Sequence, residues 1–199
     1  MSLKNREVRS MEIRSAGDHD FKVEGYASTF EPYVLMSVDG VDYSERIDPK
    51  AFDDADMTDV VFRVDHEGPV YARTSAGTVT LDLDEHGLHN VTDLSRTERS
   101  RALYEDIAAG NYPQMSFAFT VAEDHYERET HTRVVDRIAK VFDISAVSFP
   151  ANPTTELSVS TRDYFNGVIE MERTERSEAE KRRKALALKI RLGGYLNGN

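Results

Sequence analysis

Along most of the first 150 positions, apolar residues alternate with polar ones in short runs, and turn residues separate the runs. A period of two is the pattern of half-buried strands, so the pattern predicts a body built mainly of short strands. In FKVEGYASTF (21–30) the alternation puts Phe21, Val23 and Gly25 on one face, and Asp39-Gly40 marks a turn. DVVFRV (59–64) predicts a strand that ends at Asp65-His66. GTVTLDL (77–83) turns Val79, Leu81 and Leu83 inward, and Glu85-His86-Gly87 then leads into LHNVTDL (88–94), so the two segments predict a hairpin. QMSFAFTV (114–121) places Met115, Phe117, Phe119 and Val121 on one face, with Ser116, Ala118 and Thr120 on the other. Residues 133–149 add one or two strands before Pro150 and Pro153 stop the run.

The helical period appears in two places. Between the strands, Ser95 or Thr97 can cap a helix with Ala102, Leu103, Ile107 and Ala108 on its apolar stripe, ended by Gly110. From about residue 168 the chain becomes rich in Glu, Arg, Lys, Ala and Leu, with i, i+4 charge pairs such as Glu180 with Lys184. Its apolar residues crowd one end, which predicts a charged helical or disordered tail over 162–199 beside a body over 1–161. The expected fold class is therefore α+β, mainly β.

Composition sharpens this division. The 199 residues carry a net charge of −11, yet 162–199 hold 9 Lys/Arg against 6 Asp/Glu, leaving the body at −14. An acidic body argues against nucleic acid as the main partner, because phosphate binding needs clustered positive charge. The absence of cysteine removes disulfides and thiolate chemistry. No run of 18 apolar residues predicts a membrane span, and MSLKNREVRSMEIRS lacks the apolar stretch of a signal peptide.

Three residues are candidates for chemistry. Ser116 sits among small residues on the face opposite Phe117, where a rigid strand could hold a nucleophile beside open space; its ordinary reading is a serine on the polar face of a strand. His66 follows an apolar strand at a turn, where a histidine can act as general base; the ordinary reading is an exposed turn histidine between two acids. Asp143 lies in the apolar stretch VFDIS and must be paired there, either with an imidazole or with Arg133 or Arg137. Asp84, Glu85, His86 and His89 offer four possible metal ligands in six residues, but across a glycine turn their spacing suits neither one helix nor one strand face. His125 and His131 fall in a polar loop. The chain has no glycine-rich phosphate loop and no G-x-S-x-G elbow, so no cofactor and no metal is expected.

In order along the chain come GYASTF, ERIDPKAF (45–52), an apolar strand ending in Asp65-His66, a helix ending at Gly110, the Met115-Ser116-Phe117 strand and the segment V-S-F-P-A-N-P (147–153). This order resembles the prohead (procapsid) maturation proteases of tailed phages, a family related in fold to the herpesvirus assemblin proteases, over about residues 12–160. The resemblance implies a small, mostly antiparallel β-barrel flanked by helices. It implies a serine endopeptidase with Ser116 as nucleophile and His66 as base. Asp143 stands where the relatives typically carry a glutamate, one methylene longer. The implied partner is the major capsid protein with its scaffolding segment, cleaved in the interior of the procapsid during assembly in the bacterial host, with self-cleavage and a homo-oligomer also expected. The rival reading is a non-enzymatic capsid scaffolding protein, which would need none of the three residues.

Overall fold

A computed structural model describes residues 7–15, 20–148 and 159–196. Among them the body forms ten strands: β1 (Glu7–Ser15), β2 (Lys22–Thr29), β3 (Tyr33–Val38), β4 (Val41–Ile47), β5 (Val61–Val64), β6 (Glu67–Arg73), β7 (Val79–Leu83), β8 (Gly87–Asp93), β9 (Gln114–Glu127) and β10 (Thr132–Val147). One α-helix, α1 (Glu98–Ala108), and two short 3-10 turns, Pro49–Phe52 and Thr74–Ala76, interrupt them. The chain divides into two compact units, Met1–Ser160 and Thr161–Asn199.

β10 is the spine of the body. One edge pairs antiparallel with β9 along nearly its whole length; the other is shared by β4, parallel at Thr132–Val135, and β5, parallel at Asp143–Ala146. The path β3-β4-β10-β9-β1-β2-β8-β7 is otherwise antiparallel. The mainly β, α+β architecture is as expected, but the barrel is not: among the described residues no pairing joins β3 to β7, so the sheet stays open. Its curvature comes instead from register shifts along β10, between Val135 and Arg137, Ile138 and Lys140, and Val141 and Asp143. Such bulges bend a strand and increase its twist.

The core lies on the face carrying Phe52, Phe62, Phe117, Phe119, Val141 and Ile144, all almost fully buried. The Phe117 and Phe119 rings stack at 4.4 Å. The remaining expectations divide by local chemistry. Asp39 and Gly40 both take positive φ, the geometry of a two-residue hairpin turn joining β3 to β4. The β7–β8 hairpin forms, and Gly87 is required there, because a Cβ would lie 2.0 Å from the Ser28 carbonyl oxygen. Val79 is buried as expected, whereas Leu83, at the turn end of β7, is 44 % exposed. The cap of α1 is Thr97, whose side chain accepts from the Ser100 amide. Its buried stripe is Ser100, Leu103, Tyr104 and Ile107, so Ala102 and Ala108 face outward rather than in. Gly110 closes the helix as expected: its amide bonds Ile107 O and that of Asn111 bonds Asp106 O, the paired bonds of a left-handed cap.

The second unit is helical. α2 (Val159–Leu196) begins before residue 168, and its exposed part carries ion pairs Glu178–Arg182 and Glu180–Lys184. Phe149–Pro153, the last part of the closing segment, lies outside the described residues.

Candidate active site

The site is made where β5, β10 and β9 lie side by side. Register places Arg63, Ser145 and Ser116 in one row across the three strands, with Asp143 two residues back along β10. Partners in register share a face, so these side chains lie opposite the core face that holds Phe62, Ile144 and Phe117.

His66 comes from the tight turn between β5 and β6. Val64 pairs with Glu67, so Asp65 and His66 are the two turn residues, and both take positive φ, 47° and 58°. Neither is glycine, and the conformation costs energy that tertiary contacts must offset. Those contacts all come from β10 and its end. The Asp65 amide donates to Ala146 O at 3.0 Å, and the Asp65 carboxylate accepts from the Ser148 amide and hydroxyl at 2.9 and 2.6 Å. The His66 amide donates to Ser145 Oγ at 3.2 Å.

So fixed, the His66 ring reaches from the turn over β10 to β9. Nδ1 lies 2.5 Å from Asp143 Oδ1 and Nε2 lies 2.9 Å from Ser116 Oγ. An ionised carboxylate only accepts, so Nδ1 carries the hydrogen and Nε2 is left to accept from the serine hydroxyl. Ser145 Oγ donates to the same Asp143 oxygen at 3.0 Å, so one hydroxyl ties both the backbone of His66 and its carboxylate partner. Asp143 is 1 % exposed and the His66 side chain 18 %. The three expected residues are thus brought into one chain of contacts. Ser145 and Ser148 were missed by sequence reasoning; small hydroxyls in an apolar strand give no signal until register sets them opposite the turn.

Two expectations need correction. Ser116 does not face open space: β9 is flanked by β1 and β10, and Ser116 and Ala118 have no exposed surface. Nor do Arg133 or Arg137 pair with Asp143. Arg133 bridges Glu45 at 3.0 Å and Asp124 at 2.5 Å, and Arg137 pairs with Glu123. They sit ten and six residues back along β10, which removes them as donors to a group on Ser116. The strand amides around Ser116 are equally committed, because the residue is in register with Ser10 on one side and Ser145 on the other.

The other histidines among the described residues lie elsewhere. His125 Nδ1 meets Asp136 at 2.7 Å, and His131 accepts from or donates to Tyr126 OH at 3.0 Å. His86 is exposed in the β7–β8 turn, 3.9 Å from Asp84, whose carboxylate already accepts from Tyr26 OH and two turn amides. No cluster of three or more His, Asp or Glu suited to a metal ion, and no helix long and apolar enough to cross a membrane, occurs among the described residues.

Compared with known proteins, the chain matches no curated protein and no solved structure. Residues 5–168 match the family model of the caudovirus prohead serine proteases, a span that takes in every strand of the body, the Asp65-His66 turn and Ser116. By that match the chain belongs to the caudovirus prohead serine protease family.

Proposed function

We propose that the protein is a serine endopeptidase that removes the scaffolding segment of the phage major capsid protein, and trims itself, inside the assembling procapsid. The observation that supports this reading is the chain of contacts from Asp143 through His66 to Ser116. Ser116 Oγ attacks the scissile carbonyl carbon while its proton passes to His66 Nε2. Asp143 holds the Nδ1–H tautomer and favours the imidazolium so formed. The C–N bond then breaks, and the leaving amine takes the proton from Nε2. Water, deprotonated by the same nitrogen, attacks the acyl-enzyme and releases Ser116. Because Ser116 is wholly buried, a peptide carbonyl reaches it only after the groups over the hydroxyl move aside.

The test is incubation of the full chain with the major capsid protein encoded beside it, with intact masses measured for both. The expected result is a shortened capsid protein and shortened forms of the chain itself, with neither in Ser116→Ala, which keeps the wild-type melting temperature within a few degrees. Processing by Ser116→Ala at the wild-type rate would overturn the reading.

A further inference from the structure

Arg63 stands on the site face with nothing to hold. It is in register with Ser145, which is in register with Ser116. With adjacent strands about 4.8 Å apart, the Arg63 and Ser116 backbones lie about 10 Å from each other. The residue is half-buried, and its Nε is buried without a hydrogen-bond partner. No hydrogen bond or ion pair of the Arg63 side chain occurs among the described residues. Arg46, Arg73, Arg96, Arg133 and Arg137 pair with acids, Arg101 donates to Ser95 O, and Arg99 lies over the Tyr71 ring. In a body of net charge −14, an arginine whose side chain has no partner of any kind is conspicuous.

Burying a guanidinium N–H without a partner costs free energy, and that cost is recovered when an acceptor arrives. The planar fork of arginine matches a carboxylate with two parallel hydrogen bonds. We propose that Arg63 is the acid-recognising residue of the substrate site and binds an Asp or Glu side chain of the peptide close to the scissile bond. This rests on the protease reading above. Strand order favours a side-chain carboxylate over the oxyanion of the reaction. β10 lies between β5 and β9, so Arg63 is rooted two strands from Ser116. A cation rooted at that distance is assigned to a neighbouring residue of the substrate, and the kcat and KM effects below test that assignment against the scissile carbonyl. The net negative charge of the body disfavours an acidic peptide, so a preference for one needs a local cation at the site.

The test uses quenched-fluorescent peptides, identical except that one position at a time carries Asp or Asn. The wild-type chain is expected to prefer Asp over Asn at least tenfold in kcat/KM at one position, chiefly through KM. In Arg63→Gln that ratio falls to within about twofold of unity, and in Arg63→Lys it is intermediate. A wild-type chain with no acidic preference, or a ratio unchanged in Arg63→Gln, overturns the proposal. So does an equal loss in kcat for Asp and Asn peptides, which would assign Arg63 to the reaction centre. A second measurement does not depend on turnover: binding of the same Asp and Asn peptides to Ser116→Ala by fluorescence anisotropy. Tighter binding of the Asp peptide, lost in Ser116→Ala/Arg63→Gln, sustains the acid site even if no peptide is cleaved and the protease reading fails; equal binding of both peptides sinks it. Circular dichroism of each variant shows whether the fold is kept.

Discussion

β10 carries an aspartate paired with a histidine toward each end, and the two pairs differ in everything except the pairing. At one end His66 and Asp143 meet at 2.5 Å, the acid 1 % exposed and a serine hydroxyl 2.9 Å from the other ring nitrogen. At the other end His125 and Asp136 meet at 2.7 Å, both more than a third exposed, with Glu127 3.9 Å from the other ring nitrogen. The exposed pair is free to swing and is screened by water, so it is worth little. It offers a proton acceptor with no nucleophile beside it. The buried pair is fixed on three sides: the strained Asp65-His66 turn sets the ring, Ser145 ties ring backbone to acid, and Ser148 holds the turn. A histidine touching an aspartate is therefore not a site by itself. What distinguishes the first pair is a hydroxyl on the free nitrogen and a backbone that leaves the ring no other place.

The largest expected difference follows from removing each acid. Asp143→Asn keeps the shape but loses the charge and can stabilise the wrong tautomer, a change that costs roughly 10⁴ in kcat in a well-studied triad. Asp136→Asn should leave the rate of capsid cleavage within about twofold. Asp143→Glu, which keeps the charge but adds a methylene in a fully buried position, should be milder than Asp143→Asn. If Asp143→Asn melts several degrees lower yet cleaves within about threefold of wild type, Asp143 is a structural acid and the comparison collapses.

Ser145→Ala tests whether the tie, rather than the acid alone, makes the buried pair work. It strips Asp143 of one donor and the His66 amide of its acceptor, a loss of about 1–3 kcal/mol for buried groups left unsatisfied. A rate falling about 10- to 100-fold, with kcat affected more than KM and partial rescue by Ser145→Thr, would identify a positioning role. A lower melting temperature with unchanged kcat would mean that Ser145 only supports the fold.

The smallest effect belongs to an exposed pair midway along β10. Lys140 holds the Asp56 carboxyl at about 2, aided by the Thr58 hydroxyl and amide, against an ordinary value near 4. A carboxyl depressed in the folded state contributes stability above its unfolded value, and that contribution is lost as pH falls from about 4 through 2. Melting curves of wild type and Asp56→Asn should differ slightly at pH 6 and converge by pH 2. A gap that persists at pH 2 would show that Asp56 matters through packing or hydrogen bonding, not charge.

Much of this site was legible because its three residues sit where local patterns are strong. Asp65-His66 ends an apolar strand, Ser116 alternates with three bulky residues, and Asp143 interrupts an apolar run. Their partners were not legible. Ser145 acts only through register across parallel strands, Ser148 only through its bonds to the Asp65 turn, and Arg63 looks like any polar position on β5. β1 shows no clean alternation in EVRSMEIRS, so it gave no strand signal. β6 gave no strand signal because Gly68 and Pro69 break its alternation, although the chain there follows β5 with a shift in register between Phe62 and Val64. β10 is one strand, not two, because bulges absorb the breaks in its alternation.

The most direct measurement of the central claim is reaction of the full chain with a fluorophosphonate over a long incubation, followed by intact mass and peptide mapping. Attack by an activated serine displaces fluoride and leaves the phosphonyl group on the oxygen, with the proton taken by its base. The account predicts one label per chain, on Ser116, absent in Ser116→Ala and at least 100-fold slower in His66→Ala. A label on another serine, or none on Ser116 in a chain that still cleaves the capsid protein, would contradict it.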